Sequence, residues 1–209
     1  VGVRFDDASF AYADGSRAVI DHLSFDFRPN TCTAILGETG AGKTTMVRLI
    51  LALIQPTSGH VYIYNKEREQ DISPLTRCNL IYVPQGNTLL SGTIRDNLRM
   101  GRFDATDEEM MQALDKACAG FVRDIPGGLD ASCSEAGGGL SEGQAQRISI
   151  ARALLREGSV MIFDEATSAL DPETERQLLA NLLQERRQTI IFITHRPAVV
   201  DYCDQVLRI

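Results

Sequence analysis

Gly37-Glu38-Thr39-Gly40-Ala41-Gly42-Lys43-Thr44 is the stretch on which the fold turns. Its glycines let backbone N–H groups point at phosphate oxygens, and a following helix offers its positive end to the same charge. Lys43 is placed to reach the β and γ phosphates, and the Thr44 hydroxyl to ligate Mg2+. A merely flexible Gly-rich turn would need neither the apolar strand Thr31–Leu36 before it nor the helix expected over Lys43–Ile54 after it. Strand, loop and helix stand in the order that a phosphate site requires.

Working outward from the loop, Val3, Phe5, Phe10 and Tyr12 alternate with polar or small residues, and Ala18–Phe27 continues in that style after an Asp14-Gly15 turn. This predicts an antiparallel entry region. Beyond the loop, a turn at Pro56–Gly59 leads to strands over Val61–Tyr64 and Leu80–Val83. From about Thr93 to Leu155 the pattern becomes helical, with an amphipathic segment at Asp107–Cys118 and a glycine break at Gly137–Gly139, and Gln85–Thr88 is the expected hinge into this lobe. Strands return at Val160–Phe163 and Thr189–Thr194, around a charged helix over Pro172–Arg187. Strand, helix, strand implies a parallel sheet.

The bulk numbers narrow the function. The 209 residues suffice for one sizeable core carrying an inserted lobe. With 28 acidic against 21 basic side chains and a net charge of −7, nucleic acid is a poor partner. Five cysteines, odd in number and without CxxC or Cys/His spacing, read as reduced thiols in a cytosolic setting. No apolar run approaches the roughly 18 to 20 residues of a membrane span. The start at Val1, without Met or leader, is expected of an excerpt from a longer polypeptide.

Chemistry gathers at three further places. Val160–Phe163 delivers Asp164 and Glu165 at a strand end, where the ligand edge of a parallel sheet lies. Asp164 is the candidate metal ligand and Glu165 the candidate general base. Ser141-Glu142-Gly143-Gln144 has the spacing of a capping box. A cap accounts for Ser141 and Gln144 but not for Gly143, which costs helix stability unless a backbone must come close, and phosphate is the expected reason. His195, one residue past an apolar strand, is a γ-phosphate contact in this company, whereas His22 and His60 default to structure. Gln85 at the hinge is a weaker ligand-sensing candidate. Tyr12 serves either core packing or adenine stacking.

Phosphate loop, glutamine loop, signature segment, strand Asp-Glu, Ser168-Ala169-Leu170-Asp171 and His195 resemble, in this order and over essentially the whole chain, the nucleotide-binding domain of ATP-binding cassette (ABC) transporters. Leu90-Ser91-Gly92-Thr93-Ile94-Arg95-Asp96-Asn97-Leu98, Asp164 through Asp171 and Gly128-Leu129-Asp130 look like the exporter subgroup. The resemblance implies an α/β fold. A RecA-like P-loop NTPase core with an N-terminal antiparallel β subdomain spans 1–85 and 156–209, and the helical subdomain spans 86–155. Tyr12, Gly37, Glu38, Thr39, Gly40, Ala41, Gly42, Lys43, Thr44, Thr45, Gln85, Ser141, Gly143 and Gln144 would bind ATP. Thr44, Gln85 and Asp164 would hold Mg2+, Glu165 with His195 and Lys43 would catalyse hydrolysis, and Asp171 would serve communication across a dimer.

The same resemblance implies head-to-tail pairing with a second such domain, homodimeric or heterodimeric, in which the Ser141 segment of one covers the ATP on Lys43 of the other. It further implies a place at the cytoplasmic face of a membrane, N-terminally fused transmembrane domains that Glu135 would face, and export of a substrate that this sequence does not name. Glu142 stands where the family usually has glycine, Ala145 where a basic or amide residue is common, and Ser134 replaces a usual glycine. Two other readings are a chromosome-maintenance or repair ATPase and a non-hydrolytic module of a paired transporter. The first lacks its long coiled coil between Lys43 and Ser141, and the second is disfavoured by the presence of Glu165 and His195.

Overall fold

The computed structural model describes residues 1–13, 18–133, 139–184 and 187–209. The expected turn at Asp14-Gly15, Ser134, Glu135, most of the glycine break and residues 185–186 of the Pro172–Arg187 segment lie outside the described residues. The strands are β1 (Gly2–Phe10), β2 (Ile20–Phe27), β3 (Cys32–Leu36), β4 (Ser58–Tyr64), β5 (Glu69–Asp71), β6 (Leu80–Val83), β7 (Gly92–Thr93), β8 (Ser132–Cys133), β9 (Val160–Asp164), β10 (Thr189–Ile193) and β11 (Gln205–Arg208). The helices are α1 (Lys43–Ile50), α2 (Ile94–Arg99), α3 (Asp107–Lys116), α4 (Glu142–Leu154), α5 (Pro172–Leu183) and α6 (Pro197–Val200).

The chain divides into two compact units, one of residues 1–81, 158–162 and 186–209, the other of 82–157 and 163–185. In the first, β2-β1-β4-β5 form an antiparallel sheet in which Val3 faces Phe27 and Phe5 faces Val61. The alternation of large apolar residues in β1 and β2 buries Val3, Phe5 and Phe27 on one face. The larger sheet is parallel, in the order β11-β3-β10-β9-β6. Its inner strands β3, β10 and β9 are largely buried runs, as in Thr189–Ile193, every residue of which is buried.

The α1 helix stops at Ile50, short of the expected Ile54, because Ala52 turns left-handed and the Arg77 guanidinium binds the carbonyls of Leu51 (2.8 Å) and Ala52 (2.7 Å). Pairing lengthens β4 at its start, where Ser58 lies opposite Ser9. In the second unit, α2, α3 and α4 bury Leu98, Met110, Leu114 and Ile148. There α3 ends at Lys116 rather than Cys118, since Cys118 adopts φ 57° and the Ala119 amide closes onto the Leu114 carbonyl at 2.7 Å. Among the described residues no helix is long and apolar enough to cross a membrane.

Candidate functional site

In the first unit β3 runs directly into the glycine loop. A side chain at Gly37 would strike the Ile209 carbonyl (2.7 Å), and one at Gly42 the Val19 carbonyl (2.9 Å). Gly42 also holds φ 101°, which side chains rarely adopt, and it caps α1 without any side-chain hydrogen bond. The Lys43 ammonium folds over the loop and donates to the carbonyls of Gly37 (2.5 Å) and Glu38 (2.8 Å). Thr44 is exposed, while Thr45 is buried with its hydroxyl 3.2 Å from that of Tyr12.

Tyr12 is braced rather than buried. Phe10 meets its ring edge-on at 4.9 Å, Arg48 donates to its hydroxyl at 3.0 Å, and 36% of the residue stays exposed. The hydrogen bond to Thr45 holds its phenol below the usual range. Its ring is thus fixed in direction beside the loop, which suits a stacking platform better than core packing. His195 follows β10, whose register pairs Ile193 with Ile35, and the Thr194 amide donates to the Ile35 carbonyl at 3.2 Å. His195 is exposed two residues past the end of β10. His22 and His60 bind Asp7 (2.8 Å) and Asp71 (3.3 Å) on the antiparallel sheet.

The second unit assembles the carboxylates. Tyr82 donates its hydroxyl to Asp164 Oδ2 at 2.8 Å, and Gln85 donates its amide to Glu165 Oε2 at 3.2 Å. A carboxylate only accepts, so the Gln85 nitrogen faces Glu165 and its carbonyl oxygen is the end that can meet a cation. Glu165 itself sits at φ 48°, a conformation costing a non-glycine residue roughly 1–2 kcal/mol. Such strain is retained where the direction of a side chain matters.

The α4 N-terminus carries its own cap: the Gln144 amide donates to Ser141 Oγ (3.1 Å), and Gln144 Oε1 accepts from the Ser141 amide (2.9 Å). Gly143 has a reason that does not involve phosphate, because a Cβ there would lie 2.9 Å from the Ala169 carbonyl oxygen. The neighbouring Ala169 amide donates to Gln146 Oε1 at 3.2 Å, and Gln146 is only 1% exposed. Asp171 caps α5, accepting from the amides of Glu173 (3.1 Å) and Thr174 (3.0 Å). Glu142, exposed in the first turn of α4, is a favourable charge for a helix N-terminus, and Ala145 is fully buried.

The segment from Leu90 to Leu98 proves to be scaffolding. Thr93 and Asp96 cap α2, and fully buried Asn97 exchanges bonds with the Leu90 backbone at 2.9 Å in both directions. Arg95 pairs with Asp107 and with Asp130 (2.7 Å).

Sequence reasoning missed Tyr82, Gln146 and Arg152. Burial depresses the ionisation of the Arg152 guanidinium, which grips the Thr88 carbonyl (3.0 Å) and hydroxyl (2.6 Å) and so fastens the hinge segment to α4. Their signal was faint: each is a polar group inside an apolar strand or helix, which calls for a partner without naming it.

A profile described as ABC transporter matches residues 20–168. The chain is 40% identical to an uncharacterized ABC transporter ATP-binding protein of Sinorhizobium fredii, covering 98% of this chain and 35% of that protein. It is 39% identical to antigen peptide transporter 2 of Mus musculus (98% and 29%), and 39% identical to the mycobactin import ATP-binding/permease protein IrtB of Mycobacterium tuberculosis (98% and 36%). A solved structure of a bacterial Atm1-family ABC exporter with ATP bound superposes with a TM-score of 0.91 at 36% identity, over 100% of this chain and 37% of that one. The chain belongs to the ABC transporter family, as its ATP-binding domain. It spans about a third of the length of the curated relatives it matches.

Proposed function

We propose that this chain binds Mg-ATP on the Gly37–Thr45 loop, pairs head to tail with a second such domain, and hydrolyses ATP to drive export through attached transmembrane domains. Lys43 and the loop amides hold the phosphates, Tyr12 stacks on the base, and His195 steadies the γ-phosphate. Thr44, Gln85 and Asp164 offer a hydroxyl, an amide oxygen and a carboxylate, the all-oxygen set that suits Mg2+. The ion, when bound, neutralises charge on the β and γ phosphates. Glu165 takes the proton of the attacking water, with Gln85 orienting its carboxylate. Ser141, Gly143 and Gln144 cover the nucleotide of the partner domain, and Asp171 lies in the segment that communicates between the two.

The observation that supports this reading best is α1 itself. Its N-terminus begins at a glycine in a left-handed turn, it has no side-chain cap hydrogen bond, and the adjacent Lys43 ammonium is folded onto the loop's own carbonyls. A helix start of this kind receives an anion. Antigen peptide transporter 2 and IrtB are named for different cargoes, which supports placing the choice of substrate in the membrane part, with this domain at the cytoplasmic face of the membrane. IrtB is named for import. Uptake into inside-out vesicles by the whole transporter supports export, and ATP-driven loss from them contradicts it.

Glu165→Gln tests the chemistry. The variant is expected to bind ATP, to lose hydrolysis by about 10² or more, and to accumulate as a dimer by light scattering in Mg-ATP. Hydrolysis at the parent rate would remove Glu165 from the role of base. DNA is expected to leave the parent rate unchanged.

A further inference from the structure

We infer that Cys32 and Cys203 form a reversible redox pair, a modification site at the edge of the five-stranded sheet. Cys32 opens β3 and Cys203 stands two residues before the edge strand β11. Their sulfurs lie 2.9 Å apart although 171 positions separate them in sequence. The backbone around them is already clamped: the Cys32 amide donates to Asp204 Oδ2 at 2.9 Å, and the Asp204 amide to the Cys32 carbonyl at 2.8 Å. A bond length of about 2.05 Å therefore requires a closure of under about 1 Å, within reach of side-chain rotation. Of the other cysteines, Cys78 bonds the Leu75 carbonyl, Cys118 accepts from the Asn181 amide, and Cys133 is buried in β8; Cys203 also reaches the Val199 carbonyl at 3.3 Å.

Exposure sets the order of events. Cys203 is partly exposed, whereas Cys32 is 1% exposed. A peroxide oxidises the Cys203 thiol to sulfenic acid, releasing one water. The Cys32 sulfur then attacks the sulfenic sulfur, forming the S–S bond and expelling a second water that carries away the Cys32 proton. A dithiol reductant reverses the change by exchange. The pair sits at the end of β3 opposite Gly37, so the cross-link fixes the edge strand and encloses most of the chain without touching the nucleotide loop.

The test treats the full chain with hydrogen peroxide and maps its peptides without reduction. The expected product joins the Cys32 and Cys203 peptides, lighter by two hydrogens, and reverts with dithiothreitol. Closing so long a loop is expected to raise Tm by about 5–10 °C, with ATP affinity unchanged. Cys203→Ser is expected to abolish the linked peptide, while Cys78→Ser keeps it. Recovery of Cys203 as a sulfenic or sulfinic acid beside an alkylatable Cys32 in the parent chain would overturn the assignment, and needs no variant to fold.

Discussion

Two helix N-termini in this molecule look alike in sequence and differ in construction. The α1 start is left-handed glycine with no side-chain cap, whereas α4 starts on a complete Ser141–Gln144 capping box. Each helix begins with donors that no helical carbonyl satisfies. In α4 the chain satisfies part of that demand from its own side chains, and its glycine answers to the nearby Ala169 carbonyl. In α1 no side-chain cap hydrogen bond does so. A glycine near a helix start is thus weak evidence for a ligand until its neighbours are known.

The comparison breaks most visibly at Lys43. Lys43→Ala is expected to lower ATP affinity and hydrolysis by about 10² or more, with an unchanged circular dichroism spectrum; equilibrium binding of labelled ATP measures it. At α4 the corresponding changes fall on stability. Gly143→Ala gains about 1 kcal/mol of helix propensity, yet it drives a methyl group to 2.9 Å from the Ala169 oxygen. A net loss of about 1 kcal/mol in urea unfolding is expected, and a gain would show that the carbonyl yields easily. Ser141→Ala is expected to cost about 1 kcal/mol while leaving ATP binding to the isolated chain untouched.

The smallest effect concerns acid. Asp96 is held below the usual carboxylate range by the Thr93 amide, Asp107 and Asp130 by Arg95, and Asp171 by Thr174. A carboxylate whose folded value is lowered stabilises fully above its unfolded value, about 4, and loses that contribution as pH falls through the folded one. Helical signal is therefore expected to decline gradually below about pH 4, and an equal decline between pH 5 and 7 would contradict these pairings.

The fold was largely legible because its decisive features are local. The glycine string lies between an apolar strand and a helix, and the runs at Val160 and Thr189 are continuous, as strands buried on both faces must be. Helix ends were less legible. Arg77 stops α1 from 26 positions away, which no local pattern announces. The candidate residues were legible as chemistry but not as partners: the sequence did not announce the bond from the Gln85 amide to Glu165, nor the Ala169 carbonyl that leaves no room for a side chain at Gly143. Gln146 and Arg152 escaped because their partners, the Ala169 amide and the Thr88 carbonyl and hydroxyl, lie 23 and 64 positions away and carry no local sequence signature.

The central claim is that one chain loads the nucleotide and a second completes the catalyst. Hydrolysis rate per chain, measured in saturating Mg-ATP across a wide dilution series, tests it most directly. The account predicts a rate per chain that climbs with concentration and levels off as pairs form. A rate that stays constant down to concentrations where every particle is a monomer would contradict it.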